Sequence, residues 1–216
     1  GNGSIGSTYA ATYWPWTSVI DPTRGKPVWV PPSALMPRVY AHNDTVAAPW
    51  FAPAGLNRGG ILDAADVERK LGQSLRDELY QAKINPIASF PGQGVVAWGQ
   101  NTLAASPSAL QSINVRRLLI HLKKYIASSS RYLVFDNNTA TTRNRFINIV
   151  TPYMESVQSR QGIYAFKVVM DETNNSASTI DQKIMYGEIF LQPARAAEFI
   201  ILDFNVTPTG ASFDNV

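Results

Sequence analysis

Cysteine is absent from the 216 residues, which excludes disulfides and thiolate metal sites. Histidine occurs twice, at His42 and His121, too far apart in sequence to suggest a metal motif. Charged residues make up 16% of the chain, against about a quarter in ordinary globular domains. A monomer normally coats itself with charge, so this shortage predicts burial against partners. No apolar run approaches the roughly 18 residues of a membrane span, and no signal-peptide pattern opens the chain; membrane insertion is not expected. The first residue is Gly1 rather than methionine, which suggests a fragment, a processed product or a portion of a longer chain.

Catalytic signatures are missing too. PGQGVVAWGQ has two closely spaced glycines, but it is neither G-x-G-x-x-G nor a P-loop, and no G-x-S-x-G elbow exists. It reads as a tight turn between strands. His121 lies among leucines in a basic segment, which favours packing or surface over general-base work. Asp171 and Glu172 stand where a strand ends and a polar loop begins, a position open to metal or acid–base chemistry; with no partner motif nearby, a solvated turn is the better reading. No enzyme activity, cofactor or metal is expected.

What is present is 45% hydrophobic content and a net charge of +3. That suits one large domain, or one domain with an extension, and the mild positive charge does not by itself call for nucleic acid. Residues 1–10 read as a flexible lead-in, 11–206 as the folded domain and 207–216 as a tail. Strands are expected at Tyr13–Ile20 and Pro27–Val30, joined by the turn Asp21-Pro22-Thr23-Arg24-Gly25. The irregular stretch AAPWFAPAGLNRGGI, 47–61, reads as a rigid connector. Prolines fix its backbone, Trp50 and Phe51 anchor it, and Gly55, Gly59 and Gly60 permit turns.

Asp63 then caps an expected helix whose stripe is Val67, Leu71, Leu75 and Leu79, with Gly72 weakening its middle. Short strands follow at Ile87–Phe90 and Val95–Trp98. The clearest helix starts near Ser112, with Val115, Leu118, Leu119, Leu122, Tyr125 and Ile126 on one side and Arg116, Arg117, Lys123 and Lys124 on the other. Tyr132–Phe135 is a strand or an extended link. A second amphipathic helix spans 142–160, with Phe146, Ile149, Tyr153 and Val157 inward, a kink expected at Pro152 and a cap at Gly162. Strands are expected at Ile163–Met170, Glu188–Gln192 and Glu198–Val206. The predicted class is α/β or α+β: a mixed sheet packed by three to four helices.

Two features remain for function. The first is a basic run: Arg116, Arg117, Lys123, Lys124, Arg131, Arg143 and Arg145 are opposed only by Asp136. A solvated face, a nucleic-acid patch and contact with an acidic protein all fit it. The second is the terminal strand Phe199, Ile200, Ile201, Leu202, Asp203, Phe204, Asn205 and Val206. It is strongly apolar, and alternation sets Asp203 with Ile201 and Asn205, opposite Ile200, Leu202 and Phe204. Such a strand is either central in a sheet or completed by another molecule.

Several ordered segments resemble one family: YAATYWPW at 9–16, VPPSALMPRVYAHND at 30–44, APWFAPAGLNRGGI at 48–61 and LYQAKINPIASFPGQGVVAWGQNTL at 79–103. INVRRLLIHLKKYI at 113–126, FDNN at 135–138 and PARAAEFIILDF at 193–204 continue the match. The chain resembles the C-terminal part of contractile tail sheath proteins of myovirus-type, T4-like bacteriophages, over residues 9–206. The resemblance implies a structural, non-enzymatic subunit. Such subunits stack as six-membered rings around the tail tube, assemble in the host cytoplasm into the virion, and contract to drive the tube through the host envelope.

The implied partners are further copies of itself, the tail tube protein, and the baseplate and tail terminator proteins, with no direct contact to nucleic acid. Residues 199–206 take the place of an arm that adds a strand to a neighbouring subunit. Arg143, Arg145 and Arg160 are the favoured tube-facing cations, with Arg116, Arg117, Lys123 and Lys124 as runners-up. A sheath from a bacterial contractile injection device, an enzyme with an unrecognised site and a basic nucleic-acid binder are the alternatives.

Overall fold

The structure, a computed structural model, describes residues 6–198 and 200. In chain order the elements are β1 (Thr12–Trp14), β2 (Thr17–Ile20), β3 (Pro27–Val30), α1 (Pro32–Val46), β4 (Ala64–Val67), α2 (Gln73–Gln81), β5 (Ile84–Phe90) and β6 (Gly94–Ala97). They continue with α3 (Ile113–Ser130), α4 (Ala140–Ser159), β7 (Ile163–Val169), the five-residue α5 (Ala177–Asp181) and β8 (Glu188–Pro193). The mixed α/β character is as expected, but among the described residues the strands divide among three small sheets, ordered β1-β5-β6, β3-β2-β4 and β7-β8. The first is truly mixed: β1 runs parallel to β5, and β6 antiparallel to it.

The hairpin around Asp21–Gly25 forms as predicted, with Gly25 N–H bonded to Asp21 O at 2.8 Å. The single strand expected over 13–20 is instead two. Pro15 has no N–H for a ladder, and the chain changes sheets there, Trp14 pairing with Pro86 and Thr17 with both Val30 and Val67. Of the lead-in, Ser7 donates to Leu103 O at 3.0 Å and Leu103 donates to Ala10 O at 2.9 Å, so this part is docked rather than free.

The helix expected from Asp63 is corrected. Ala64–Val67 form a strand against β2, and Gly72 (extended, φ −70°, ψ 169°) is the N-cap of α2 rather than a weak point inside a longer helix. The four-residue recurrence fits both arrangements; pairing with β2 decides between them. Helix α1 was not foreseen. Pro32 supplies the prefixed first turn that helices favour, and Met36, Val39 and Asn43 are its buried face. Tyr132–Phe135 is no strand: after α3 a 3-10 turn, Arg131–Leu133, is followed by a turn at Val134 and Phe135, and irregular residues 136–139 lead into α4.

Two cores result. One gathers Leu118 and Leu122 of α3, Phe146, Val150, Met154 and Val157 of α4, Ile163 of β7, and Ala48 and Trp50 of the connector. The other joins Met36 and Val39 of α1 to Ile61, Val67, Ile87, Val95 and Ala97. Each such fully buried aliphatic side chain contributes about 1.5–3 kcal/mol.

The connector 47–61 serves both cores, through Ala48 and Trp50 in one and Ile61 in the other. Its C-terminal half hooks onto the end of β6. Gly55 N–H donates to Ala97 O at 2.9 Å, and Ala97 N–H to Gly59 O at 2.8 Å. A Cβ on Gly59 would lie 2.6 Å from Ala97 O, so only glycine permits this approach. At the end of α4 the left-handed residue is Gln161 (φ 63°), not Gly162. Gly162 closes the helix by donating to Val157 O at 2.9 Å.

Candidate functional site

The basic run does not form one solvated face. Arg116, placed by periodicity on the outer side of α3, is only 9% exposed. It lies under the turn Thr8–Tyr9, donating to Thr8 Oγ1, with its guanidinium carbon 4.1 Å from the centre of the Tyr9 ring. Arg117 binds both carboxylate oxygens of Asp44 on α1, at 2.6 and 2.7 Å, and rests over the Tyr40 ring. Arg143 is buried at 6% exposure and donates to Asn138 Oδ1 at 2.9 Å. Arg145 is exposed and paired with Asp136 at 3.1 Å. Arg160 is exposed and stacked over Trp50, 4.7 Å from the ring centre. Lys123 and Lys124 are exposed on α3. Of the seven cations named as tube-facing candidates, Lys123, Lys124, Arg145 and Arg160 therefore present charge to solvent.

Beside Arg117 the hydroxyls of Tyr13 and Tyr40 are 2.8 Å apart. Burial raises the Tyr13 phenol well above its ordinary value, and its neighbour Tyr40 adds to the shift. Burial likewise raises Tyr40, while its hydrogen bond with Tyr13 and the nearby Arg117 charge pull the other way. Neither phenol is suited to acid–base work near neutrality.

Asp171 opens the turn expected there. Its Oδ1 accepts from the hydroxyl and the backbone N–H of Thr173, and these bonds hold its carboxyl below the usual carboxylate value. Among the described residues no three His, Cys, Asp or Glu side chains converge on a point, and no helix is long and apolar enough to cross a membrane.

After β8 the chain runs on as Ala194–Glu198 without regular structure. Glu198 ends this run against the body of the protein. Tyr80 on α2 donates to its Oε2 at 2.8 Å, and Gln100 to its Oε1 at 3.1 Å. Burial and this carboxylate push the Tyr80 phenol up to about 12. The strand expected over 199–206 lies outside the described residues except for Ile200, which is 82% exposed and in no strand.

The residues that sequence reasoning passed over are buried asparagines. The Asn85 amide donates to Thr12 O (3.0 Å) and Asn101 O (2.8 Å) and accepts from Asn101 N–H. Asn43 donates to Ala48 O and Phe51 O, clasping the connector to α1. Asn114 donates to Trp50 O and Ala194 O. Asn175 bonds Asp171 O and both backbone groups of Tyr186, and Asn138 of the FDNN segment ties it to Arg143. An amide carries both donors and an acceptor, so one side chain satisfies several carbonyls of irregular backbone. The signal available in sequence was asparagine set among apolar residues, as in KINP and SINV.

The "Phage tail sheath protein central domain" family matches residues 1–103, and the "Phage tail sheath C-terminal domain" family matches 105–207. Tail sheath proteins of Enterobacteria phage T4 and Vibrio phage KVP40 are 39% and 37% identical over 215 residues, and that of Salmonella phage ViI is 32% identical over 201. The alignments cover 100%, 100% and 93% of this chain, which spans about a third of each relative, 33%, 32% and 32%. The fold matches the sheath complex of an extracellular contractile injection system, PVC, in its contracted state. The TM-score is 0.84 at 27% identity, over 93% of this chain and 57% of that one. It also matches the contracted helical sheath of the anti-feeding prophage, with a TM-score of 0.82 at 27% identity, over 95% and 58% of the two chains.

Proposed function

The chain belongs to the phage tail sheath family, and from that premise we propose that it is part of a structural subunit of a contractile tail. The subunit polymerises as stacked six-membered rings around the tail tube and contracts to drive the tube through the host envelope during genome delivery. The observation that carries the reading is the match of the whole chain to phage tail sheath proteins at 39% and 37% identity. Its likeness to two contracted sheaths supports it. A phage tail is preferred to a bacterial injection device because those two sheaths are 27% identical.

The role is structural rather than enzymatic. The partners are other copies of the chain, the tube protein, and the baseplate and terminator proteins. The site is the virion, after assembly in the host cytoplasm. The exposed cations Lys123, Lys124, Arg145 and Arg160 face an acidic tube. The segment 199–206 adds a strand to a neighbouring subunit. Backbone pairing of that kind tolerates a large rearrangement, since it does not depend on side-chain detail. Electron microscopy of the full-length protein is expected to show tubes or helical sheaths. A strictly monomeric protein that binds DNA with a steep salt dependence would overturn the reading.

A further inference from the structure

A cavity of about 310 Å³ opens between the Thr8–Tyr13 segment, α1 and the first turns of α3. Its walls hold Tyr9, Tyr13, Tyr40, Arg116 and Arg117. Arg117 has Asp44 as its counter-charge. Arg116 has none among the described residues: its guanidinium meets the neutral Thr8 hydroxyl and the Tyr9 ring. It is nevertheless about nine-tenths buried. Its Nε–H and the Nη1 of Arg117 are both buried without a hydrogen-bond acceptor.

A buried guanidinium without an anion is costly, and an unpartnered buried donor adds to that cost. The covering is of a kind that can give way. Thr8 and Tyr9 form a two-residue turn pinned on either side, by Ser7 and Ala10, to Leu103, and the Tyr9 side of the turn is itself exposed.

We propose that this cavity is a carboxylate-binding pocket. The guanidiniums of Arg116 and Arg117, both on its wall, take one carboxylate, for which paired, charge-assisted hydrogen bonds are the favoured geometry. A tyrosine hydroxyl supplies a further donor: within the Tyr13–Tyr40 pair one hydroxyl hydrogen is used between the two oxygens, leaving the other free. The carboxylate comes either from an Asp or Glu side chain of a second copy of the chain or from a small free acid. The first source rests on the self-assembly proposed above; the pocket itself does not, so the two readings fail separately.

The test follows the side-chain Nε–H resonance of Arg116 in the 216-residue chain, titrated with sodium glutarate or acetate against sodium chloride at equal ionic strength. A saturable shift with the carboxylates and not with chloride supports the pocket with a free acid as ligand. A shift that grows with protein concentration without added acid, and is reversed by glutarate together with self-association measured by sedimentation, supports it with the neighbour as source. Arg116→Gln and Arg117→Gln should each weaken apparent glutarate affinity by at least about tenfold. Arg116→Met should melt no lower than the wild type in chloride and lose any stabilisation by glutarate. A resonance that responds to neither protein concentration nor carboxylate, or equally to chloride, overturns the proposal even where a variant fails to fold.

Discussion

The indole Nε1 of Trp50 donates to the carbonyl oxygen of Arg160 at 3.0 Å, and the guanidinium of Arg160 lies 4.7 Å from the centre of the same ring. The two residues are 110 positions apart. Trp50 falls in the part matched by the central-domain family, and Arg160 in the part matched by the C-terminal one. The connector is therefore a plug: Ala48 and Trp50 complete a core otherwise built from α3, α4 and β7. Asn114 holds the plug from the other side through Trp50 O.

The plug leaves no spare volume at Gly162. A Cβ there would stand 2.6 Å from Val157 Cγ1 and 3.2 Å from the Trp50 ring. Gly162→Ala should cost about 1–3 kcal/mol by overpacking, and Trp50→Ala about 3–5 kcal/mol by cavity formation. Denaturant unfolding followed by tryptophan fluorescence for the glycine variant, and by circular dichroism for both, measures this. A Gly162→Ala protein as stable as the wild type would show that the contact is not tight.

Asn85 is the most economical of the polar clasps. Removing its side chain strips a partner from Thr12 O, Asn101 O and Asn101 N–H at once. Asn85→Ala should lower unfolding free energy by on the order of 3 kcal/mol, because three part-buried backbone groups each lose a partner. Amide exchange should accelerate at Asn101. The exposed Asn148 on α4 serves as control; its alanine variant should stay within about 0.5 kcal/mol of wild type.

The elements legible in sequence were those whose own residues determine them. Helices α3 and α4 announce themselves by apolar residues at helical spacing, and the β2–β3 hairpin by its turn. The observed burial of Val115, Leu118, Leu122, Phe146 and Val157 follows that pattern. What stayed hidden depends on distant partners. Val67 reads equally well in a helix or in a strand, and only pairing with Thr17 makes it a strand. Arg116 reads as solvent-facing by its angle on α3, and is buried because the Thr8–Tyr9 turn crosses over it. Asn43 in α1 is buried because the connector bends back to it. Periodicity reports one element's faces; it does not say which other segment covers them.

The tyrosine pair predicts an alkaline limit. The folded state holds the Tyr13 phenol neutral well above the ordinary value of 10.0, chiefly through burial, and Tyr40 is also raised. A raised folded-state value favours folding fully below the unfolded value and loses that contribution as pH rises from there through the folded one. The melting temperature should therefore fall above about pH 10, steeply. Tyr13→Phe with Tyr40→Phe should flatten that fall while lowering stability near neutrality by about 1 kcal/mol for the lost hydrogen bond. Identical slopes in the two proteins would refute the assignment.

Charge reversal separates a tube-facing role from a structural one, because the candidate cations differ in burial. Lys123 and Lys124 are exposed on α3. Lys123→Glu with Lys124→Glu should leave stability within about 0.5 kcal/mol per site yet impair sheath assembly on purified tubes. Arg145→Glu is the same test on α4, with one exposed pair, to Asp136, lost. Arg143→Glu is a different experiment. It would set a carboxylate in a buried position against the acceptor oxygen of Asn138 and near Glu172, 4.0 Å from the present guanidinium. Unfolding by more than about 3 kcal/mol is expected there, and failure of assembly would then say nothing about the tube. Reversal at Lys123, Lys124 and Arg145 together with undiminished assembly, scored by electron microscopy, would remove these residues from the tube interface.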